Sequence, residues 1–313
     1  MKKTDRRPLY HFWTPNYWPA WLALGLLRLI CLLPHRTRLN VGFALGRLGH
    51  RLTPSRRAIT RRNIEMCFPD LSPQERDALA LEHFEALGAS LIEMGLGHWA
   101  SDQELDSLTT VEGIEHLQKP IAEGAGVILL SAHFTTLEVV GRVLNIHGPV
   151  YDGVYRRNRS PFITEFLLRG RERSARKAIE KTDIKSMVRS LREGVAVWYA
   201  ADQSYTGKQS ALLPFFGVPS MTNTATTTLG KLGRAVAVPF FPRRLKDGTY
   251  LLTILPPLDG FPSDDAIADT MKFTAILEDY IRQYPEQYFW IHKKFKKRPA
   301  PLPDVYSDLD SLK

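Results

Sequence analysis

Cysteine is scarce in this chain, with only Cys31 and Cys67 among 313 residues. Two cysteines do not make a disulfide framework, and neither stands in a metal-binding spacing such as C-x-x-C. The histidines are scattered, so the sequence predicts no metal site and a reducing compartment. No internal repeat or low-complexity tract stands out, and a composition of 44% hydrophobic and 24% charged residues fits an ordinary folded enzyme.

The chain lacks a hydrophobic run long enough to be an unambiguous membrane span. Residues 17–34 are apolar except for Arg28, and tyrosine and tryptophan flank their start. About 16 helical residues reach about 24 Å, short of the roughly 30 Å hydrocarbon core, so this segment either spans marginally or lies along one face of the membrane. The run begins too late for a secretory peptide, and no small-residue cleavage site follows it.

Acidic residues are missing between His35 and Asn63, a stretch that contains eight arginines. A second basic cluster, residues 293–298, follows the aromatic residues 288–290. Such clusters bind nucleic acid or an anionic membrane surface, and the neighbouring hydrophobic segment favours the membrane. More basic residues follow that segment than precede it, which predicts a cytoplasmic body. We therefore expect a membrane-anchor segment at 1–34, a catalytic domain at 35–298 and a flexible tail at 299–313.

The most informative motif is a buried apolar run, residues 127–130, that surfaces at His133 and is followed by Glu138. The run predicts a strand buried on both faces, and ligands of open α/β sheets gather at the carboxyl end of such strands. Thr135 and Thr136 are candidate N-caps for a helix over 135–146, which would place the Glu138 carboxylate within reach of the His133 ring. A histidine oriented in this way is a general base, although an isolated H-x4-E spacing also occurs by chance.

Three further apolar runs end in charged residues. The runs 150–155, 195–201 and 235–241 are followed by Arg156 to Arg159, by Asp202 and by residues 243–244, respectively. Strands and helices alternate along the chain, which predicts an α/β fold with a mixed, largely parallel central sheet flanked by helices. Parallel strands would bring these charges to one rim and build a basic cleft suited to an anionic substrate. Within the flanking helices, Ser72 and Glu75 form a capping box that opens a helix over 73–97.

Motifs along nearly the whole chain resemble those of the late acyltransferases of lipid A biosynthesis. They are RRNIEMCFP (61–69), AHFTTLE (132–138), VYR (154–156), WYAADQ (198–203), PFFGVP (214–219), VPFFPRR (238–244) and PEQYFWIH (285–292). The resemblance implies a lysophospholipid-acyltransferase-like α/β fold with an H-x4-D/E motif. It also implies attachment to the cytoplasmic face of a Gram-negative inner membrane, with membrane phospholipids as neighbours and no nucleic-acid partner.

The same resemblance implies the reaction and its residues. A fatty acyl group would pass from acyl carrier protein to a hydroxyl on an acyl chain of the Kdo-decorated lipid A precursor, without a cofactor. By motif position, His133 and Glu138 match the catalytic pair of the family, and Arg171 and Asp202 match its other functional charged positions. Laurate is the expected donor chain, with palmitoleate and myristate left open.

Roles for the charged residues around this pair stay open at this stage. We expect Arg156, Arg159, Arg171 and Asp202 to contact substrate. Arg171 is a candidate for stabilising the charge on the thioester oxygen or for binding a phosphate. Asp202 is expected either to position an arginine or a sugar hydroxyl or to form a structural salt bridge. His292 is predicted to be a surface histidine.

Two other classes of function remain as alternatives. A serine hydrolase is disfavoured because no G-x-S-x-G elbow occurs. A non-catalytic membrane-binding or nucleic-acid-binding module is allowed by the basic clusters.

Overall fold

The computed structural model describes residues 7–312 of the chain. The α-helices are α1 (Trp18–Ile30), α2 (His35–Leu52), α3 (Pro54–Cys67), α4 (Pro73–Trp99), α5 (Asp102–Ser107), α6 (Glu115–Ala122), α7 (Leu137–His147), α8 (Pro161–Arg171), α9 (Ile184–Arg192), α10 (Ala225–Gly233) and α11 (Ala266–Gln283). The strands are β1 (Thr109–Glu112), β2 (Gly126–Ser131), β3 (Tyr151–Tyr155), β4 (Lys177–Glu180), β5 (Ala196–Ala200), β6 (Ser210–Phe215), β7 (Val218–Asn223), β8 (Ala235–Arg244) and β9 (Tyr250–Ile254). Short 3-10 helices lie at Leu9–Phe12, Pro15–Tyr17, Pro285–Gln287 and Ser307–Leu312.

The central sheet has seven strands in the order β1-β9-β8-β2-β5-β3-β4. Every neighbouring pair is parallel except β8 and β9, which are antiparallel. Strands β6 and β7 form a separate antiparallel hairpin. The predicted mixed, largely parallel sheet is thus confirmed. Because β2, β3 and β5 run in the same direction, the charged residues that follow them emerge at one edge, as the sequence indicated. The prediction was wrong for the fourth run, because Arg243 and Arg244 lie within β8 and Arg244 is buried in a salt bridge with Glu93.

Strand β2 lies at the centre of the sheet, and all its residues are buried. Ile128 and Leu130 face one side, where α9, α10 and α11 cover the sheet. Val127 and Leu129 face the other side, where they pack with apolar residues of α6 and α7. Burial on both faces explains why the run is continuously apolar instead of alternating.

Helix α4 is the long helix that the sequence predicted, and it begins at the capping box. The Ser72 hydroxyl accepts a hydrogen bond from the Glu75 backbone N–H, and the Glu75 carboxylate accepts one from the Ser72 backbone N–H. The missing side chains of three glycines in α4 let other helices approach closely. A Cβ on Gly88 would lie 2.0 Å from an α2 carbonyl oxygen, one on Gly95 would lie 2.5 Å from the sulfur of Cys31 beyond α1, and one on Gly97 would lie 2.7 Å from an α7 carbonyl oxygen.

The N-terminal hydrophobic segment contains α1, which has 13 residues and is shorter than the helix considered from the sequence. Its inner face, with Leu27, packs on Ile92 of α4, and Cys31 beyond its end does the same. Its outer face and the residues just beyond it expose apolar side chains: Trp18, Leu22, Leu26, Leu29, Leu32 and Leu33. Within residues 7–312, no helix combines the length and the apolar character needed to cross a membrane.

The C-terminal tail, expected to be flexible, packs against the domain through Tyr306. This side chain is fully buried, its hydroxyl hydrogen-bonds Asn63 of α3, and the same hydroxyl accepts from the Phe295 backbone N–H. The prediction of a flexible tail rested on its proline-rich composition. A single buried aromatic side chain hardly changes that composition, so the anchoring by Tyr306 was not foreseen. The first six residues of the predicted anchor and Lys313 lie outside the described residues.

Candidate active site

His133 lies just beyond β2 and is held by the chain segment 285–290. Phe134 and Tyr288 form an isolated antiparallel bridge. The Thr135 N–H donates to the Gln287 carbonyl at 2.9 Å, and the Phe289 N–H donates to the His133 carbonyl at 3.0 Å. The loop after β2 is therefore extended by a short piece of backbone pairing, which fixes the position of the histidine.

Asp202 lies just beyond β5, the strand that pairs with β2. The register aligns Ser131 with Ala200, so His133 and Asp202 each follow the aligned pair by two residues. His133 Nδ1 lies 2.6 Å from Asp202 Oδ1, and the Tyr288 hydroxyl donates to Asp202 Oδ2 at 3.1 Å. The Asp202 side chain is 2% exposed, whereas that of His133 is 32% exposed. The carboxylate therefore fixes the ring from inside and leaves Nε2 as the nitrogen available for chemistry.

The carboxylate of Asp202 is held in its charged form. Burial alone would raise its pKa, but attraction to His133, the hydrogen bonds from His133 and the positive charge of Lys294 outweigh burial and lower the pKa to about 2. A buried acid that stays ionised can orient an imidazole and stabilise the imidazolium that forms when the ring takes a proton. The pair is thus built for general-base chemistry.

Two cavities meet at this pair. The cavity beside His133 holds about 370 Å³ of space, which includes space open to solvent, and it is lined mainly by polar residues, including Gln203, His292 and Lys296. The second holds about 500 Å³, also counted with open space, and apolar side chains from β2, β6 and α11 form much of its wall, including Leu130, Phe215, Phe273 and Leu277. Asp202 and Lys294 line both cavities. His133 itself lines only the polar cavity, and the apolar cavity adjoins it at the wall that Asp202 and Lys294 form.

Comparison with known proteins identifies the family. A model of the family described as "Bacterial lipid A biosynthesis acyltransferase" matches residues 7–297. The chain belongs to this family. The lipid A biosynthesis lauroyltransferase of Escherichia coli (strain K12) is 38% identical, with 93% of this chain and 96% of the relative covered. The palmitoleoyltransferase of lipid A biosynthesis from the same strain is 34% identical, with 94% and 96% covered. The corresponding myristoyltransferase is 28% identical, with 91% and 88% covered.

In this acyltransferase Glu138 does not contact His133, contrary to the sequence-based prediction. Its Oε1 accepts from Arg171 Nη2 at 2.6 Å, and its Oε2 accepts from Arg171 Nε at 3.5 Å. Attraction to Glu138 raises the pKa of Arg171. The close approach of Gly97 to the first turn of α7 brings Glu138 beside α4 and the end of α8, where Arg171 lies. The acid of the H-x4-E motif thus pairs with an arginine, and an acid from another strand orients the histidine.

The remaining predicted substrate contacts are placed differently. The carboxylate oxygens of Asp202 bind His133 and the Tyr288 hydroxyl, and no arginine lies among their hydrogen-bond partners. Arg156 and Arg159 are exposed on the loop after β3 and line neither of the two cavities. Burial, the charge of a neighbouring lysine and that of Arg156 lower the pKa of Lys296, so Arg156 lies near the mouth of the His133 cavity.

Sequence reasoning missed three residues of the site, all from the segment after α11. They are Tyr288, which holds Asp202, His292, whose ring centroid lies 6.5 Å from that of His133, and Lys294, which is 6% exposed. His292 keeps an exposed face, as expected, but it also lines the cavity. The available signal was the aromatic motif immediately before the lysine cluster. Among residues 7–312, no group of three or more His, Cys, Asp or Glu side chains is arranged to hold a metal ion.

Proposed function

We propose that this acyltransferase moves a fatty acyl group, laurate by preference, from acyl carrier protein to a hydroxyl on an acyl chain of the Kdo-lipid IVA precursor. The observation that carries the proposal is the His133–Asp202 pair at the junction of a polar and an apolar cavity. The family membership gives the lipid A precursor as the substrate class. The laurate preference is supported by the higher identity to the lauroyltransferase than to the palmitoleoyltransferase.

The chemistry follows from the orientation of the histidine. Nδ1–H of His133 donates to Asp202, so Nε2 takes the proton of the acceptor hydroxyl as its oxygen attacks the thioester carbonyl carbon. The tetrahedral intermediate then collapses, the carbon–sulfur bond breaks, and the imidazolium returns the proton to the departing thiolate. No covalent intermediate on the enzyme is required. Asp202 therefore replaces Glu138 as the orienting acid in this proposal.

Glu138 and the arginines act on substrate binding in the same scheme. Glu138 holds Arg171 through two hydrogen bonds, which presents the guanidinium in a fixed orientation. We assign Arg171, with Arg156 and Arg159 at the exposed rim, to the phosphates and sugar-acid carboxylates of the acceptor or to the acidic carrier protein.

We place the enzyme on the cytoplasmic face of the inner membrane, with α1 lying in the water–lipid interface. The exposed apolar face of α1, including Leu22 and Leu26, gives the lipid-facing side, and exposed arginines of the stretch that follows, such as Arg36 and Arg51, contact anionic phospholipids. Replacing Leu22 and Leu26 by glutamate in the full chain should lower the fraction that pellets with phosphatidylglycerol-containing vesicles. Leu212→Glu, an exposed leucine on β6, is the matched control. Equal pelleting of all three proteins would contradict the interfacial placement.

The reaction itself is tested with purified protein, Kdo-lipid IVA and an equimolar mixture of lauroyl, palmitoleoyl and myristoyl carrier proteins. Mass spectrometry of the lipid product should show a laurate increment, and His133→Ala should abolish it. His147→Ala, at the other end of α7, controls for loss of a histidine. Transfer by His133→Ala at the wild-type rate would refute the assignment of the base, and the absence of any acylated lipid with wild-type protein would refute the function.

A further inference from the structure

Lys294 is a buried lysine that the scheme above does not use. Its side chain is 6% exposed, and its ammonium lies 4.3 Å from the ring centre of Phe215. The hydrogen bond that its Nζ donates goes to the backbone carbonyl oxygen of Asp202. An ammonium in such surroundings is costly to bury, so its position calls for an explanation beyond packing.

The charge of Lys294 helps to keep the Asp202 carboxylate ionised, but Nζ makes no hydrogen bond to that carboxylate. The two carboxylate oxygens already accept from His133 and Tyr288, and Nζ binds the main-chain oxygen of Asp202 instead. An ammonium carries three donors. One donor is used on the carbonyl and one face of the group covers the Phe215 ring, which leaves a donor for the cavities that Lys294 lines.

The remaining donor of Lys294 lies at the wall between the two cavities. Lys294 and Asp202 are the residues common to the polar cavity of His133 and the apolar cavity. An acyl chain in the apolar cavity would therefore have its carbonyl group at this shared wall, next to the polar cavity that His133 lines.

Resting on the proposed function, we propose that Lys294 is a catalytic residue whose ammonium donates a hydrogen bond to the thioester carbonyl oxygen. As the acceptor oxygen adds to the carbonyl carbon, the electron pair of the C=O double bond moves to that oxygen, and the Lys294 N–H stabilises the resulting negative charge. The proton stays on Lys294 throughout, and the charge is released when the carbon–sulfur bond breaks. Loss of one preorganised oxyanion donor typically lowers kcat by about 10²- to 10³-fold.

The test compares Lys294→Met with Lys119→Met, an exposed lysine of α6 on the chain before β2, in the full-length protein with lauroyl carrier protein and Kdo-lipid IVA. Methionine keeps the length of the side chain and removes the donor. We expect kcat of Lys294→Met to fall by about 10²-fold or more with the KM for the donor nearly unchanged. The pH profile of kcat should keep its shape, and Lys119→Met should match the wild type. A Lys294→Met enzyme that keeps kcat within about threefold would overturn the proposal.

Two further results separate this role from its alternatives. If Lys294→Met moves the pH profile in the same way as Asp202→Asn, Lys294 acts through Asp202 and the direct contact is refuted. Should Lys294→Met fold poorly, Lys294→Ala is assayed with added ethylammonium, and a rate per folded molecule that does not rise also refutes the contact. A wild-type protein without transfer activity would instead indicate failure of the proposed function, before any variant is compared.

Discussion

Replacing Asp202 by asparagine is the substitution that most directly tests the geometry of the site. The bond between Asp202 Oδ1 and His133 Nδ1 measures 2.6 Å and becomes charge-assisted once the ring is protonated. Hydrogen bonds to charged groups contribute about 1.5–3 kcal/mol, which corresponds to about 10- to 150-fold in kcat. Asparagine can also present its NH₂ group to Nδ1 and trap the wrong tautomer, and in a serine protease triad that error costs about 10⁴-fold. We therefore expect kcat to fall by between about 10- and 10⁴-fold.

The matched control is Glu138→Gln, because the sequence alone would have named this residue as the orienting acid. Its carboxylate binds Arg171 in the structure, so its loss should act mainly on the KM for the acceptor. The pH profile of kcat separates the two variants, whatever their absolute rates. The charged or titratable groups that share the cavity with His133 are Asp202, Tyr288, His292, Lys293, Lys294 and Lys296.

The assay measures kcat and KM in detergent micelles with lauroyl carrier protein from about pH 5.5 to 9. Without the Asp202 carboxylate the imidazolium loses its counter-ion, so the acidic limb of kcat should move to lower pH in Asp202→Asn. Glu138→Gln should leave that limb in place. If Glu138→Gln moves the limb and Asp202→Asn retains its position with more than about a third of kcat, His133 is oriented by Glu138 in the working enzyme and the reasoning fails.

Three other predictions concern stability and specificity. Burial lowers the pKa of the fully buried His83 to about 4, so protonation of this histidine favours the unfolded chain as the pH falls from about 6.5 towards 4. Between pH 7 and 5 the free energy of unfolding in guanidinium should fall by about 2 kcal/mol more for the wild type than for His83→Gln, and an equal fall in both would contradict the prediction. Tyr306→Phe removes the hydrogen-bond partner of Asn63 Oδ1 and of the Phe295 N–H, and it should cost about 2–4 kcal/mol by the same measurement. An unchanged unfolding midpoint would show that these two hydrogen bonds do not stabilise the fold. Leu277→Phe narrows the apolar cavity. In an assay with mixed acyl carriers, the ratio of shorter-chain to longer-chain product should rise by about fourfold for each methylene that no longer fits. An unchanged product ratio would mean that the acyl chain lies elsewhere.

Local signals in the sequence sufficed for much of the fold. The capping box at Ser72 fixed the start of α4, because both of its hydrogen bonds join residues three apart. The continuous apolar run of β2 was recognisable because a strand covered on both faces needs an apolar residue at every position. His133 was found for the same reason, since a buried strand that surfaces at a histidine marks the edge of the sheet.

The partner of that histidine could not be found by local reasoning. Asp202 is separated from His133 by 69 positions, and only the parallel register of β2 and β5 brings them together. Glu138 was favoured because it is near in sequence, and the direction of its side chain depends on how α7 packs against Gly97. Lys294 sits in a lysine-rich stretch whose composition predicts solvent exposure, and its burial follows from the aromatic segment that pairs with Phe134.

The glycine contacts along α4 set a mechanical limit on the enzyme. Gly95 touches Cys31 just past the end of α1, and Gly97, two residues on, touches the turn that carries Glu138, so a rise of about 3 Å along one stiff rod links the two. With no hinge between them, the outer leucines and the catalytic edge must tilt and translate together. If α1 lies at the lipid boundary, the catalytic edge stays at a constant distance from the membrane surface. The acceptor lipid must then bring its hydroxyl to that distance.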